Sequence, residues 1–459
     1  MITVVGMDGS PLSPRAEAAL AAATLVAGAR RHLAAVSALA PELTPPAAAP
    51  AVPATRLPPA RVIVLGALAP ALDAIATHDG DAVILASGDP GFFGIVRALR
   101  GRGLACAVLP AVSSVAAAFA RAGLPWDDAA VVSAHGRDPR PALNVCRAHP
   151  KVAVLTGPGC GPAEIGAALA GWDRRLIVCE HLGSDAERVT ECSPAEAATR
   201  AWADPNVVLA LGRFPGPPRR PAPAGGAAGA GWMAGGHGTP GDGWALPEEE
   251  FDSRDAVLTK AEVRALALAR LAPGPGLLVW DVGAGSGSVA VECARFGAAV
   301  IAVERDELRC ERIRANAARH GADVRVVSGE APGALGGLPG PDAVFVGGGG
   351  AAVIEAAAAR HPARIVVALA AVERAGPAHA ALTAAGYAAG GVLVQAARLA
   401  PLPGDVHRLA ATNPVFLLWA TAVTREPAGP GDPGPRSPGP RSPGPCGPGP
   451  CGPGPGAPP

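Results

Sequence analysis
Two stretches of this 459-residue chain cannot build a packed core, and they decide how the rest must divide. From Pro427 to Pro459, 24 of 33 residues are Gly or Pro, which leaves almost no apolar side chain to bury and predicts a disordered tail. Glycine does not recur at every third position there, so a collagen helix is excluded. The second stretch runs from about Pro215 to Pro247 and holds Pro217-Pro218, Gly225-Gly226 and Gly235-Gly236. It reads as a linker. The expected organisation is a first globular block at 1–214, a linker at 215–247, a second block at 248–424 and a tail at 425–459.

Both blocks alternate short β-branched runs with Ala-rich stretches, the pattern of α/β domains. In the first block the runs are Ile2–Val5, Val62–Leu65, Ala82–Ala86, Val131–Ser133, Val152–Thr156, Leu176–Glu180 and Val207–Leu211. In the second they begin at Leu277–Val282, and the last is Ile365–Ala368. Ser13-Pro14 predicts a capped helix start, and Ser193-Pro194-Ala195-Glu196 and Thr259-Lys260-Ala261-Glu262 predict capping boxes. Aromatics make up only 3 % of the chain, so the cores must be built from Ala, Val and Leu. Lys+Arg and Asp+Glu are both 39, a zero net charge that argues against nucleic acid or an anionic membrane surface as partner. Nine cysteines without a CxxC pair suggest neither a disulfide framework nor a zinc site, so no metal is expected and a reducing cytoplasm is the simplest setting. The opening residues Met1–Gly6 lack a signal-peptide pattern and read as a first strand. The charge-free stretch from Gly103 to Ala120 contains Pro110 and Ser113-Ser114, and reads as a strand, a turn and a helix start rather than a membrane span.

The sharpest motif is Asp281-Val282-Gly283-Ala284-Gly285-Ser286-Gly287-Ser288, placed between a strand and a helix. Glycines allow a tight turn and close approach of the backbone to a ligand. Glu304 ends the next strand, where a carboxylate can accept hydrogen bonds from both hydroxyls of a ribose. A dinucleotide fingerprint is GxGxxG, but here Ser288 stands where its third Gly or Ala would be. The loop resembles the first motif of class I S-adenosylmethionine (SAM) methyltransferases, which implies that Asp281, Gly283, Gly285 and Gly287 hold the methionine part and Glu304 the ribose. Gly329, Glu330 and Ala331 follow the third strand, where that fold places the adenine. Gly347 and Gly348 open a four-glycine run that leaves room beside a transferable methyl.

The first block carries Ser87-Gly88-Asp89-Pro90-Gly91-Phe92-Phe93-Gly94 just after a strand, then Ser113-Ser114, His135-Gly136-Arg137, Thr156-Gly157 and Glu180-His181-Leu182-Gly183. Singly each is an ordinary turn or cap. In this order they resemble the tetrapyrrole (corrin/porphyrin) methylases. Val4-Val5-Gly6 and Gly28-Ala29-Arg30-Arg31-His32-Leu33 add similarity to the precorrin methylases that act late in cobalamin synthesis. Leu258-Thr259-Lys260-Ala261-Glu262 and Asn413-Pro414-Val415 extend the likeness to their usual partner in the second block.

The resemblance implies an α/β chain with a bilobal tetrapyrrole-methylase fold followed by a class I Rossmann-like SAM methyltransferase domain. It implies SAM as cofactor, bound in the first block by Gly88, Asp89, Ser113, Ser114 and Thr156, and a tetrapyrrole substrate touching His135, Arg137, Thr259, Gly347 and Gly348. It also implies two methyl transfers, to carbons 5 and 15 of a precorrin, with loss of the ring C acetate as CO2, and a homo-oligomer. Sulfonium methyl transfer needs alignment and dehydration more than a strong acid or base, so no catalytic group is assigned. Arg137, Arg264 and Arg305 are candidates to pair with the substrate's carboxylates. The alternatives are a nicotinamide-dependent oxidoreductase using the 283–288 loop and a non-enzymatic SAM-binding scaffold.

Overall fold
Consecutive residues of the first strands point into opposite layers, and this alternation builds the first lobe. In the computed structural model, which describes residues 1–39, 60–66, 68–212, 243–253 and 258–423, Val4, Leu25 and Ile84 pack with Leu72, Ile75 and Leu99. Their neighbours Val5, Val26, Val83 and Leu85 pack with Ala16, Leu20 and Val36 on the other face. The strands are β1 (Ile2–Met7), β2 (Leu25–Gly28), β3 (Arg61–Val64), β4 (Ala82–Ser87) and β5 (Ala107–Leu109). They pair in the order β3-β2-β4-β1-β5 with every neighbour parallel. Parallel neighbours need crossovers, here α1 (Pro14–Ala22), α2 (Arg30–Leu39), α3 (Leu68–Ala76) and α4 (Ile95–Gly101). Ser13 caps α1 as expected, its Oγ accepting from Ala16 N.

After α5 (Ser114–Ala122) the chain builds a second lobe from β6 (Ala130–Ser133), α6 (Arg140–Ala148), β7 (Lys151–Leu155), α7 (Pro162–Ala168), β8 (Arg174–Glu180), β9 (Arg188–Cys192), α8 (Pro194–Thr199) and β10 (Asn206–Gly212). Its sheet runs β6-β7-β10-β8-β9, parallel only between β6 and β7. The capping box at Ser193 and Glu196 is formed. The two lobes meet through bare backbone: a Cβ on Gly9 would lie 1.8 Å from Gly183 O, and one on Gly183 would lie 1.9 Å from Asp8 O. Both glycines have positive φ, so only glycine suits either position.

The second block contains α9 (Ala261–Leu271), β11 (Leu278–Val282), α10 (Ser288–Arg295), β12 (Ala299–Glu304), α11 (Glu307–Arg319), β13 (Val324–Ser328), β14 (Ala343–Val346), α12 (Ala351–Ala358), β15 (Arg364–Leu369) and α13 (Ala375–Ala384). It closes with β16 (Tyr387–Val394), β17 (Ala397–Leu402), β18 (Val406–Ala411) and β19 (Val415–Ala422). The sheet order is β13-β12-β11-β14-β15-β19-β16. The five strands through β15 are parallel, and β19 and β16 add an antiparallel edge. This is the Rossmann-like half of the expected α/β architecture, following the bilobal half.

Of the expected linker only 243–247 is described; the rest of it, and the expected tail, lie outside the described residues. Residues 243–253 lie against the second block as a strap. Glu292 on α10 accepts from Ala245 N, Leu246 N and Arg264 Nε, each at 2.8 Å. The capping box expected at Thr259 does not form. Lys260 occupies the cap position without a side-chain bond, and Glu248 of the strap takes the Ala261 N–H at 3.2 Å. Glu262, the residue meant to complete the box, instead pairs with Arg398 of β17, which also grips Glu248.

The two blocks touch along α6, at the amino-terminal ends of the second sheet. Asn144 Nδ2 donates to Gly276 O at 3.0 Å and to Asp342 Oδ2 at 3.2 Å, and Arg174 pairs with Asp323 at 2.5 Å. Trp172 of the first block is buried among core residues of the second.

Candidate functional site
In the second block the carboxyl ends of β11, β12, β13 and β14 surround a cleft of about 660 Å³. Open parallel sheets bind ligands at this edge. Gly283, Gly285 and Gly287 have φ of 72°, 60° and 75°, a left-handed run that no side chain favours. A Cβ on Gly287 would also lie 2.8 Å from Ile313 of α11. Gly283 lines the cleft, whereas Gly285 and Gly287 are buried and shape the turn from behind.

Glu304 is 5 % exposed and lines the cleft. Its carboxylate accepts from Gly285 N at 2.9 Å, Arg305 N at 3.0 Å and Asp306 N at 3.1 Å. The glycine turn and the acid at the next strand end are therefore one hydrogen-bonded unit. Gly329, Glu330 and Ala331 line the same cleft, with Glu330 paired to Arg305 at 3.2 Å. Gly347 and Gly348 form the opposite wall, and a Cβ on Gly348 would meet nothing within 4 Å.

Asp281 differs from its expected place. It is 1 % exposed and sits under the turn, where Oδ2 accepts from Ala290 N at 2.9 Å and so fixes the first turn of α10. Its Oδ1 is buried without a partner among the described residues. Burial, with a smaller contribution from Glu304, pushes its pKa up to about 7. Arg264 is removed from the substrate candidates: it is fully buried and bonded to Glu292, Thr259 O and Leu246 O. Thr259 gives its carbonyl to that cluster and is not among the residues lining the cleft. Arg305 does line the cleft, together with Arg309 and Arg374, which the sequence reading passed over. Their signal was position: Arg309 stands in the first turn of α11, just beyond Glu304, and Arg374 stands five residues beyond the end of β15.

In the first block the loops after β1, β4 and β5 converge at the carboxyl edge of its parallel sheet. A Cβ on Gly6 would lie 2.2 Å from Gly88 O and 2.5 Å from Ala111 N. Asp8, which the sequence reading did not select, ties the loops together by accepting from Ser10 N at 3.0 Å and Val112 N at 3.1 Å. Asp89 Oδ1 accepts from Gly91 N at 2.8 Å, so this carboxylate shapes its own loop. Ser113 caps α5 through Ala116 N, and Ser114 is the first residue of that helix. From the second lobe, the Thr156 hydroxyl lies 2.7 Å from Asn206 O and 2.9 Å from Asn206 Oδ1, which occupies its one proton. His135 is exposed and its backbone abuts Gly157. Arg137 reaches the Phe93 ring, 6.0 Å from its centroid, and so joins the 135–138 turn to the loop after β4.

The second cleft fits an adenosyl group by its own features: a glycine cradle, a carboxylate fixed by three backbone N–H groups, and an unpartnered buried acid beneath. Among the described residues no three His, Cys, Asp or Glu side chains come together as a metal set, and no helix is long and apolar enough to cross a membrane. Fold and cleft together define an α/β protein of two blocks, the second with a ligand cleft at the carboxyl edge of its parallel sheet.

Residues 2–198 match the tetrapyrrole (corrin/porphyrin) methylases, and residues 250–422 match the precorrin methyltransferase domain. The chain belongs to the precorrin methyltransferases. It is 36 % identical over 290 residues to the decarboxylating precorrin-6Y C(5,15)-methyltransferase of a Sinorhizobium species, covering 60 % of this chain and 64 % of that one. It is 32 % identical over 199 residues to the cobalt-precorrin-7 C(5)-methyltransferase of Salmonella typhimurium, covering 41 % of this chain and 89 % of that one. A solved precorrin-6Y C5,15-methyltransferase structure from Geobacter metallireducens is 30 % identical, with a TM-score of 0.37 over 39 % of this chain and 97 % of that one. The chain spans 64 % of the length of the Sinorhizobium protein. The nicotinamide alternative finds no support among these relatives.

Proposed function
We propose that this chain is a bifunctional SAM-dependent methyltransferase of cobalamin biosynthesis, which methylates a precorrin at carbons 5 and 15 and decarboxylates its ring C acetate. The observation that carries the reading is the cleft of the second block, where Glu304 is locked to the glycine turn by three backbone N–H groups. The first block acts at carbon 5; the second acts at carbon 15 and decarboxylates, in line with the relatives named for those steps.

Bound SAM supplies an electrophilic methyl that an electron-rich ring carbon can accept without a strong base. In the second block Glu304 would hold the ribose, the 283–287 turn the methionine part, and Gly329, Glu330 and Ala331 the adenine. Asp281 supports the turn from below. Gly347 and Gly348 leave the open wall beside the methyl, where Arg305, Arg309 and Arg374 are placed to pair with substrate carboxylates. In the first block Gly88, Asp89, Ser113, Ser114 and Thr156 shape the corresponding loops, and His135 and Arg137 face the substrate side. On decarboxylation the electron pair of the broken C–C bond passes into the conjugated macrocycle and CO2 leaves; a proton from solvent then completes the methyl group on the former methylene carbon, so the chain has only to orient the acetate. The reading includes a cytoplasmic setting and self-association. Leu399 and Leu409 on the β17–β18 hairpin, 74 % and 68 % exposed, supply apolar surface for contact between copies.

Incubation with the late precorrin and SAM, followed by mass spectrometry, tests the reading. Two methyls gained and one CO2 lost is the expected result. An unchanged mass, where an authentic relative turns over, refutes it.

A further inference from the structure
The first block holds a side-chain cluster that the loops named above do not use. β2 and β4 are parallel neighbours, so the first turn of α2 and the last residue of β4 share the carboxyl rim of the sheet. There Arg31 Nη2 donates to Ser87 Oγ at 2.8 Å and Arg31 Nε donates to His32 Nε2 at 3.3 Å. Ser87 Oγ lies 3.0 Å from the same His32 nitrogen. Gly88 and Asp89 follow Ser87 directly.

His32 is 8 % exposed, and burial together with the Arg31 charge pushes its pKa down to about 4. A neutral imidazole whose Nε2 accepts from Arg31 Nε, with the Ser87 hydroxyl beside it, carries its own proton on Nδ1, which is buried without a partner among the described residues. Two neutral acceptors thus fix the Arg31 guanidinium and leave its charge uncompensated. Several arginines of this block are neutralised, among them Arg121 by Glu187, Arg188 by Glu180 and Arg102 by Asp73. Arg31 is exposed and has no carboxylate partner among the described residues. Its Nη1 donors and the second Nη2 hydrogen remain for a ligand, the edge that grips a carboxylate with two parallel bonds.

Building on the proposed function, we propose that Arg31, preset by His32 and Ser87, anchors a carboxylate of the tetrapyrrole at the carboxyl rim of the first block's parallel sheet. His32 and Ser87 are positioning residues, because they act on the substrate only through the guanidinium. The site selects a planar anion, and it does so without a proton transfer.

Steady-state carbon-5 methylation at saturating SAM, paired with equilibrium titration of the late precorrin in the absence of SAM, tests this. Arg31→Ala should raise KM and the titrated Kd for the precorrin by about 10- to 100-fold, the range of one lost charge-assisted interaction, with kcat changed by less than about twofold. SAM affinity and the second-block steps should be unchanged. Arg31→Lys should recover part of the loss, having charge without the fork. His32→Leu should raise KM, and His32→Gln, which restores a neutral acceptor, should return it toward wild type. A wild-type protein that binds the precorrin while Arg31→Ala binds it equally well overturns this inference alone. A wild-type protein that binds no tetrapyrrole overturns it together with the proposed function.

Discussion

Replacing Glu292 by Ala should be the most damaging single change to the second block that leaves its ligand cleft untouched. The carboxylate accepts three hydrogen bonds at 2.8 Å, one from Arg264 and two from the backbone of the strap. Arg264 is fully buried, so removing Glu292 strands its guanidinium in the core beside the Phe251 ring. Breaking a buried pair by deleting one partner costs about 3–5 kcal/mol. Two strap N–H groups also lose their acceptor, at about 1–3 kcal/mol each if they stay dry, although the strap can lift and rehydrate them. A total near 5 kcal/mol follows, or roughly 10–20 °C in the melting of a domain this size. Arg264→Met should cost roughly half as much, because Glu292 then keeps both strap N–H groups and has Arg295 Nη1 3.7 Å away. Thermal denaturation of the full chain, with hydrogen exchange to assign each transition to its block, measures both variants. A loss below about 1 kcal/mol for Glu292→Ala, or a greater loss for Arg264→Met, would show that the clamp does not hold the strap as reasoned.

Three further outcomes are expected. Asp281 holds its proton more tightly folded than unfolded, so between pH 4 and 7 the folded state loses stability as pH rises. A pKa lifted from 3.8 to about 7 corresponds to about 4 kcal/mol across that window, and Asp281→Asn should flatten this part of the stability–pH curve measured by urea titration. Gly9→Ala must force a Cβ through Gly183 O at a φ of 90°, so carbon-5 methylation should collapse while the second-block products persist by mass spectrometry. Glu304→Ala removes the acceptor of three backbone N–H groups and the expected ribose partner; calorimetry should show SAM affinity at the second site falling by about 100-fold, and a change under threefold would assign the ribose elsewhere.

What the sequence made legible follows from how local each signal is. Ser13 and Ser193 cap helices because their partners lie three residues away, and the 281–288 turn forms because its glycines supply the positive φ it needs. The Thr259 box fails for the opposite reason: Glu248 and Arg398, distant in sequence, take over the N–H and the carboxylate that a local box would pair. Arg264 reads as a candidate for the substrate's carboxylates until Glu292, 28 residues on, closes over it. β16 escaped notice because a strand such as Ala388-Ala389-Gly390-Gly391 has little intrinsic preference and forms through its backbone ladder with β19. β2 is only four residues long and is made by its two parallel neighbours. In the candidate site, Glu304 was readable from strand spacing. Asp281 was readable as important but not as buried, since depth depends on α10 folding back over it.

The contact along α6 has a consequence for how such a chain comes to exist. One aromatic anchor, Trp172, is buried in the second block's core, and the polar contacts of Asn144 with Asp342 and of Arg174 with Asp323 lie along the same boundary, Asn144 and Arg174 themselves buried. An aromatic anchor beside desolvated polar pairs is the composition of a hot spot where separate proteins meet. Apart from Trp172 and Ala148, which pack into the second block's core, the core clusters of the described residues each draw on one block alone, so each half can persist as a protein in its own right. The boundary also lies at the amino-terminal ends of the second block's strands, a strand's length from that block's ligand edge. Joining the halves therefore leaves the mouth of the second cleft clear. Fusion of this form ties the amounts of the two halves to one another while leaving the second one's chemistry undisturbed.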